Sequence, residues 1–182
     1  MQRTVGLASS VGTPARVLGG SGVLRPLSPA VLARIGKTLK DWGTGPAGGF
    51  TAMALRDPAR VALVDELGSL TFGELHRRSN ALARALEDRG VGEGDSVALM
   101  CRNHRGFVDA LVAIAKCGAD ILLLNTAFAG PQLVDVLDRE GPRVAIHDEE
   151  FTGLLAGLIF RTIPDLGPSF RQFVDGLKKQ AE

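Results

Sequence analysis

Hydrophobic positions along the chain fall into runs whose spacing shifts between a helical three or four and a strand-like two. In "SPAVLARIGKTLKDWG", Leu32, Ile35, Leu39 and Trp42 step by three, four and three, one stripe of a helix. Ser28 is its expected N-cap and Pro29 its first helical residue, the order that helix starts favour. "GTGPAGG", residues 43–49, breaks the stripe, and a second short helix is expected over about 49–57, ending near Asp57-Pro58. "VALVD" and "SLTF" read as two short strands around a Glu66-Leu67-Gly68-Ser69 turn, a hairpin. The next helix is marked by a capping box in Thr71-Phe72-Gly73-Glu74, with Leu70 and Leu75 placed as a hydrophobic staple. Its inward stripe is Leu75, Ser79, Leu82 and Leu86; Arg77, Arg78, Arg84, Glu87 and Asp88 point outward, and Gly90 ends it as a left-handed glycine.

Beyond Gly90 strands and helices alternate: "SVALMC" (96–101), a helix from about Arg105 to Lys116, "ILLLN" (121–125), a helix from about Pro131 to Glu140, and "RVAIH" (143–147). Short strands apolar throughout, alternating with helices, predict a parallel sheet covered on both faces. The helix over 105–117 is apolar nearly all round (Phe107, Val108, Ala110, Leu111, Val112, Ile114, Ala115), so burial between layers is expected. The fold class is therefore α/β: a right-handed βαβαβ unit with a parallel sheet, preceded by helices and a β-hairpin.

Four segments follow from this pattern: a flexible basic arm (1–27), leader helices (28–57), an α/β sub-lobe (58–155) and a tail of different character (156–182). The last stretch passes from the apolar "FTGLLAGLIF" (151–160), which straddles that boundary, through a loop to an amphipathic helix capped by Ser169, striped by Phe170, Phe173, Val174 and Leu177, with Lys178 and Lys179 at its end.

Charge changes the picture at one end only. Six of the 21 basic residues lie within residues 1–40, which hold no acid, so the rest of the chain sets fifteen bases against all 20 acids. Residues 1–40 are thus either a loosely ordered arm, a targeting segment or a contact for an anionic membrane surface. No secretory apolar core or membrane-length apolar run is present, which gives a cytoplasmic expectation, with peripheral membrane contact as its alternative. With 5% aromatic residues and no tyrosine, the chain lacks a stacking platform, and no nucleic-acid partner is expected.

Candidate chemistry is sparse. Cys101-Arg-Asn-His104 with Cys117 and His147 holds the ligand types of a zinc site, but Cys117 in an apolar helix reads better as a small hydrophobe. His76, among Arg77 and Arg78, reads as solvated. In Gly90-Val-Gly92-Glu-Gly94 the order is helix, glycines, strand, the reverse of a phosphate cradle, so these glycines form a turn. Asp148, Glu149 and Glu150 follow a strand at the carboxyl end of the sheet, where open α/β folds bind ligands, or else cap the next helix. Asn103, His104 and Asn125 share that placement. Nothing forms a set of nucleophile, base and orienting group.

From about Ala52 to Leu155 the chain resembles the N-terminal part of the adenylate-forming (AMP-binding) fatty acyl-CoA synthetases, the long-chain fatty-acid–CoA ligases. "LTFGEL" is similar to the family's "LTY-x-EL" helix entry, "GVGEGDSVALMCRNH" to its "G-x-GDxVA" strand and following asparagine, and "KCGADILLLNTAFAGPQLVDVL" to its "GAxxxPLNP" segment. "LRPLSPAVLARIGKTLKDWG" is similar to the leader of some fatty-acyl members. The resemblance implies a ligase of fatty-acid metabolism: ATP and a carboxylic acid give an acyl-adenylate, which coenzyme A converts to a thioester, with Mg²⁺. The family's phosphate loop "TSGTTGxPKG", its "YGxTE" and "TGD" motifs and its C-terminal lysine have no match in this sequence. No catalytic, cofactor-binding or metal residue is therefore carried over, and ATP, Mg²⁺ and coenzyme A are not expected to bind this chain alone.

Three readings follow. The first is a truncated synthetase-like protein without turnover of its own. The second is a non-catalytic module that self-associates, or pairs with a complementing chain through an exposed sheet edge and helix 169–180, or meets a membrane through residues 1–40. The third is an independent small α/β enzyme or flavodoxin-like binder using Asn103, His104 and Asp148.

Overall fold

The computed structural model describes residues 27–156. The expectations for the arm and for helix 169–180 lie outside them. The first helix, α1 (Pro29–Trp42), starts as expected, the Val31 N–H donating to Ser28 Oγ. α2 (Pro46–Arg56) begins three residues earlier than the glycines suggest. Gly45 is extended and Pro46 takes the first helical position, so only the front half of "GTGPAGG" is a breaker. The glycines inside α2 have a packing reason: a Cβ on Gly48 would lie 1.9 Å from the Gly43 carbonyl oxygen. Only a residue without a side chain lets the α1–α2 turn close so tightly.

The hairpin pairs β1 (Val61–Asp65) with β2 (Gly68–Thr71) antiparallel, Asp65 opposite Gly68. Its turn is two residues long and β2 starts at Gly68, one position before the sequence pattern indicates, because Gly68 pairs with Asp65; its φ of +95° suits a glycine at the close of so tight a turn. The capping box of α3 (Phe72–Glu87) is present in full: Thr71 N–H donates to Glu74 Oε2 (2.8 Å) and Glu74 N–H to Thr71 Oγ1 (3.3 Å). α3 buries Leu75, Ser79, Ala83 and Leu86, with Leu82 packed at the margin, so the stripe tilts by one residue from the expected one. Arg78 also departs from expectation: it reaches across to the buried Asp109, with Nη2 2.6 Å from Oδ2.

The sheet has three strands in the order β4-β3-β5, all parallel, from β3 (Ser96–Met100), β4 (Asp120–Leu123) and β5 (Val144–His147). Between them lie α4 (Arg105–Lys116) and α5 (Gly130–Glu140). Alternation along each strand divides the core. Val97, Leu99, Ile121, Val144 and Ile146 pack with α3 and α4 around Leu86, Ala110, Ala113 and Ile114. Ala98, Met100, Leu122 and Ala145 face the other way, onto Leu133, Val136 and Leu137 of α5 and onto Phe151 and Leu155. Both faces of the sheet are covered, as the unbroken apolar strands predict. Among the described residues no helix is long and apolar enough to cross a membrane.

Leu99, on the central strand, is 1% exposed between β4, β5 and α4. Leu99→Ala leaves a cavity there and is expected to lower unfolding stability by about 2–5 kcal/mol, read as a reduced urea midpoint at unchanged slope.

Candidate functional site

The parallel strands β3 and β5 both end on one side of the sheet, which brings residues 101–105 against residues 148–151. The Asp148 N–H extends the ladder by donating to the Met100 carbonyl (3.2 Å). Its carboxylate then gathers the turn after β3. The Arg102 N–H donates to Asp148 Oδ2 (2.7 Å), and His104 Nε2 lies 2.8 Å from Asp148 Oδ1. His104 is also the N-cap of α4, because its Nδ1 accepts from the Gly106 N–H at 2.9 Å. Gly106 makes room for this ring: a Cβ there would come within 2.8 Å of His104 Cε1.

These contacts define what His104 can do. With Nδ1 accepting a backbone proton, the neutral ring carries its own proton on Nε2 and donates it to Asp148. No lone pair remains to take a proton from a substrate. The histidine–aspartate pair looks like a catalytic dyad and works as a helix cap. Burial acts to raise the Asp148 pKa, but the Arg102 N–H and the His104 hydrogen bond outweigh it and hold the carboxyl below its ordinary value.

Neighbouring groups are satisfied in the same way. Arg102 forms a two-pronged pair with Glu150, Nε to Oε1 at 2.5 Å and Nη2 to Oε2 at 2.8 Å, and its guanidinium stands 5.5 Å from the Phe151 ring centroid. Hydrogen bonding to Arg102 lowers the Glu150 pKa. The Cys101 thiol is pushed up to about 12, first by burial and then by the Asp148 charge, so it stays protonated and unreactive at neutral pH. Glu149 and Glu150 lie in a 3₁₀ turn, Glu149–Phe151. Asp148 stands at the N-cap of that turn, its carbonyl accepting from the Phe151 N–H while its side chain turns to Arg102 and His104, and Glu149 and Glu150 lie in the first turn as the capping alternative expects. Asn103 is exposed. Asn125 is taken up locally, its Oδ1 accepting from the Ala127 N–H at 2.9 Å.

The four zinc-type residues are not brought together. Cys101 Sγ faces the Ile146 carbonyl, Cys117 Sγ faces the Ala83 carbonyl on α3, and His147 Nδ1 donates to the Asp148 carbonyl. No three such side chains gather into a metal-sized group among the described residues. His76 departs from its solvated reading: it is half-buried against Lys116 on α4.

One cluster has no signal in the sequence. Asp65, at the end of β1, receives the Arg105 N–H at 3.0 Å, Arg105 Nε at 2.8 Å and Arg105 Nη2 at 2.5 Å, while Nη2 also reaches the Gly68 carbonyl at 3.1 Å. Arg105 is the first residue of α4, so the hairpin supplies a carboxylate to that helix's positive end. Hydrogen bonding to Arg105 holds Asp65 well below its ordinary pKa, against the opposing effect of burial. The partners are forty residues apart, and no local pattern links them.

The AMP-binding enzyme family profile matches residues 50–162. The chain is 38% identical over 104 residues to a 2-succinylbenzoate–CoA ligase of Geobacillus kaustophilus, covering 57% of this chain and 21% of that protein. It is 33% identical over 102 residues to a medium/long-chain-fatty-acid–CoA/3-oxocholest-4-en-26-oate–CoA ligase of Mycobacterium marinum, covering 56% of this chain and 18% of that one. The fold matches a benzoate CoA ligase from Burkholderia xenovorans with a TM-score of 0.60 at 21% identity, covering 63% of this chain and 23% of the other. The chain therefore spans about a fifth of the length of the curated relatives it matches.

A pH dependence follows from the depressed carboxylates. Asp65, Asp148 and Glu150 are all held below their ordinary values, so the unfolded chain binds more protons than the native one in mild acid. Their stabilising effect is complete above about pH 5 and declines as the pH falls through the ordinary carboxylate range toward the lower native values. Asp65→Asn is expected to lower stability at neutral pH and to make its decline between about pH 5 and 3 shallower, measured by urea unfolding at a series of pH values.

Proposed function

The chain belongs to the AMP-binding enzyme family, and from that premise we propose that its α/β unit is a supporting sub-lobe of an acyl-activating ligase that does not grip ATP by itself. In the family reaction a carboxylate oxygen meets a phosphate of like charge, so donors and cations must be aimed at that oxygen pair. The observation that carries the reading is the state of the carboxyl-end cluster. Arg102 is engaged by Glu150, His104 by Asp148 and Gly106, and the Arg102 N–H by Asp148. The Arg102 guanidinium is already matched by Glu150, with the Asp148 carboxylate beside it, so the pair offers no net positive charge to a polyphosphate. The described donor set does not fit ATP with Mg²⁺.

The acid activated by the complete catalytic unit is, in this reading, a fatty acid. The leader resemblance over residues 24–43 and the Mycobacterium marinum relative support it. Calorimetry of the purified chain is expected to show no saturable, magnesium-dependent uptake of ATP, and assays with palmitate, coenzyme A and ATP no thioester. ATP binding or palmitoyl-CoA formation overturns the scaffold reading. Turnover with 2-succinylbenzoate but not palmitate overturns the fatty-acid assignment as well.

A second reading, association with another copy or a complementing chain, is favoured by the sheet's edges. Among the described residues β4 and β5 each pair on one side only, and Leu123 on β4 is 58% exposed. Sedimentation velocity is expected to show mass rising with concentration; a monomer throughout the accessible range refutes self-association.

A further inference from the structure

Helices α2 to α5 each bury at least one residue, whereas α1 buries none. Its one extensive neighbour among the described elements is α2. Val31, Ile35 and Leu39 are half-buried, but the two ends of the apolar stripe stay open, Leu32 at 54% and Trp42 at 46% exposure. A helix with so defined a stripe ordinarily hides it against a second surface. The described residues supply only part of that surface.

Charge says what the missing part is. Residues 1–40 hold six bases and no acid. On α1 itself Arg34, Lys37 and Lys40 stand against one acid, Asp41, and Lys37 pairs with it one turn away. Among the described residues Arg34 and Lys40 enter no ion pair. A second copy of α1 would set bases against bases. Residues 157–182 hold four bases and three acids, so they bring no net negative charge either. A nucleic acid offers the charge but no apolar layer to take Leu32. The counterpart that offers both is a bilayer with anionic head groups, and a helix with basic residues beside an apolar stripe of Leu and Trp is the form that rests on one.

We propose that α1 is a docking helix for an anionic lipid surface. It lies along the membrane plane, with Leu32 and Trp42 in the head-group layer and Arg34, Lys37 and Lys40 on the lipid phosphates. The two apolar side chains are about 15 Å apart along the axis, so engaging both requires the helix to lie flat. Its 14 residues also fall short of a span. Indole suits the head-group layer because an apolar body carries one polar N–H. The long basic side chains reach the phosphates from the flanks of the stripe while their stems stay in apolar contact. The close turn at Gly43 and Gly48 holds α1 on α2, so the bound helix brings the α/β unit to the surface with it. This contact is independent of which acid the complete ligase activates.

Trp42 is the only tryptophan and the chain has no tyrosine, so its emission reports on α1 directly. The full chain is mixed with vesicles of phosphatidylcholine containing about 30% phosphatidylglycerol, and separately with phosphatidylcholine alone. It is expected to float with the anionic vesicles and not with the neutral ones. Trp42 emission should move to shorter wavelength and be quenched by brominated phosphatidylcholine included in the anionic vesicles. Raising NaCl from about 0.1 M to about 0.5 M should release the chain, because screening shortens the reach of its charges. Arg34→Gln and Lys40→Gln are each expected to weaken binding roughly fivefold. Leu32→Asn should weaken it severalfold as well. None of the three positions is buried, and the lipid and salt dependence of the unaltered chain decides the matter if a variant does not fold.

No flotation with the anionic vesicles overturns the proposal, and so does binding indifferent to head-group charge. Binding without quenching of Trp42, or binding that all three substitutions leave intact, places the contact elsewhere on the chain and overturns it too. If Trp42 emission shifts with protein concentration and not with lipid, the face belongs to a second copy. If emission is already at short wavelength in the dilute, lipid-free chain and lipid does not move it, residues 157–182 cover the face. Either result overturns the membrane assignment.

Discussion

Strand β3 is hydrogen-bonded along both edges and covered on both faces, and this constraint governs where everything else can lie. Val97, Ala98, Leu99 and Met100 are each at most 1% exposed, so the strand offers no position for a charged or catalytic side chain. Chemistry is displaced to the strand's two ends and to the helices that flank it. The carboxyl end then inherits the loose backbone groups of three elements at once: the end of β3, the end of β5 and the start of α4. Asp148, Arg102 and His104 answer those needs before any ligand does.

That priority explains why a typical ligand-binding position of an open α/β sheet is occupied here by its own side chains. A carboxylate that accepts a backbone N–H and an imidazole N–H stabilises the crossing of two loops. The same carboxylate also raises the thiol pKa of Cys101 beside it, after burial has already done so. One set of contacts both fixes the loops and silences the only nucleophile among them. In the curated relatives the matched segment makes up about a fifth of the protein.

Elements were legible in the sequence wherever a local rule decides them. The Thr71 capping box, the bounds of α4 and the unbroken apolar run of β3 follow from neighbours within four residues, and each stands in the structure. Most of the misread side chains have one cause, contact with another element. Gly48 looks like a breaker until the Gly43 carbonyl is seen above it. Arg78 and His76 look solvated on a helical wheel, but α4 lies against that face and supplies Asp109 and Lys116. His104 and Asp148 were both candidates, and their pairing was not visible because forty-four residues separate them. No single-residue pattern could have joined Asp65 to Arg105.

The Asp65–Arg105 clasp has a mechanical meaning. A two-stranded hairpin on its own is barely stable in water, and this one exposes Val61 and Val64. By receiving the backbone and guanidinium of the first residue of α4, Asp65 ties the hairpin to the helix that roofs the central sheet. The ribbon therefore borrows its rigidity from the layer beneath it, through the same helix whose Ala110, Ala113 and Ile114 pack on the central sheet.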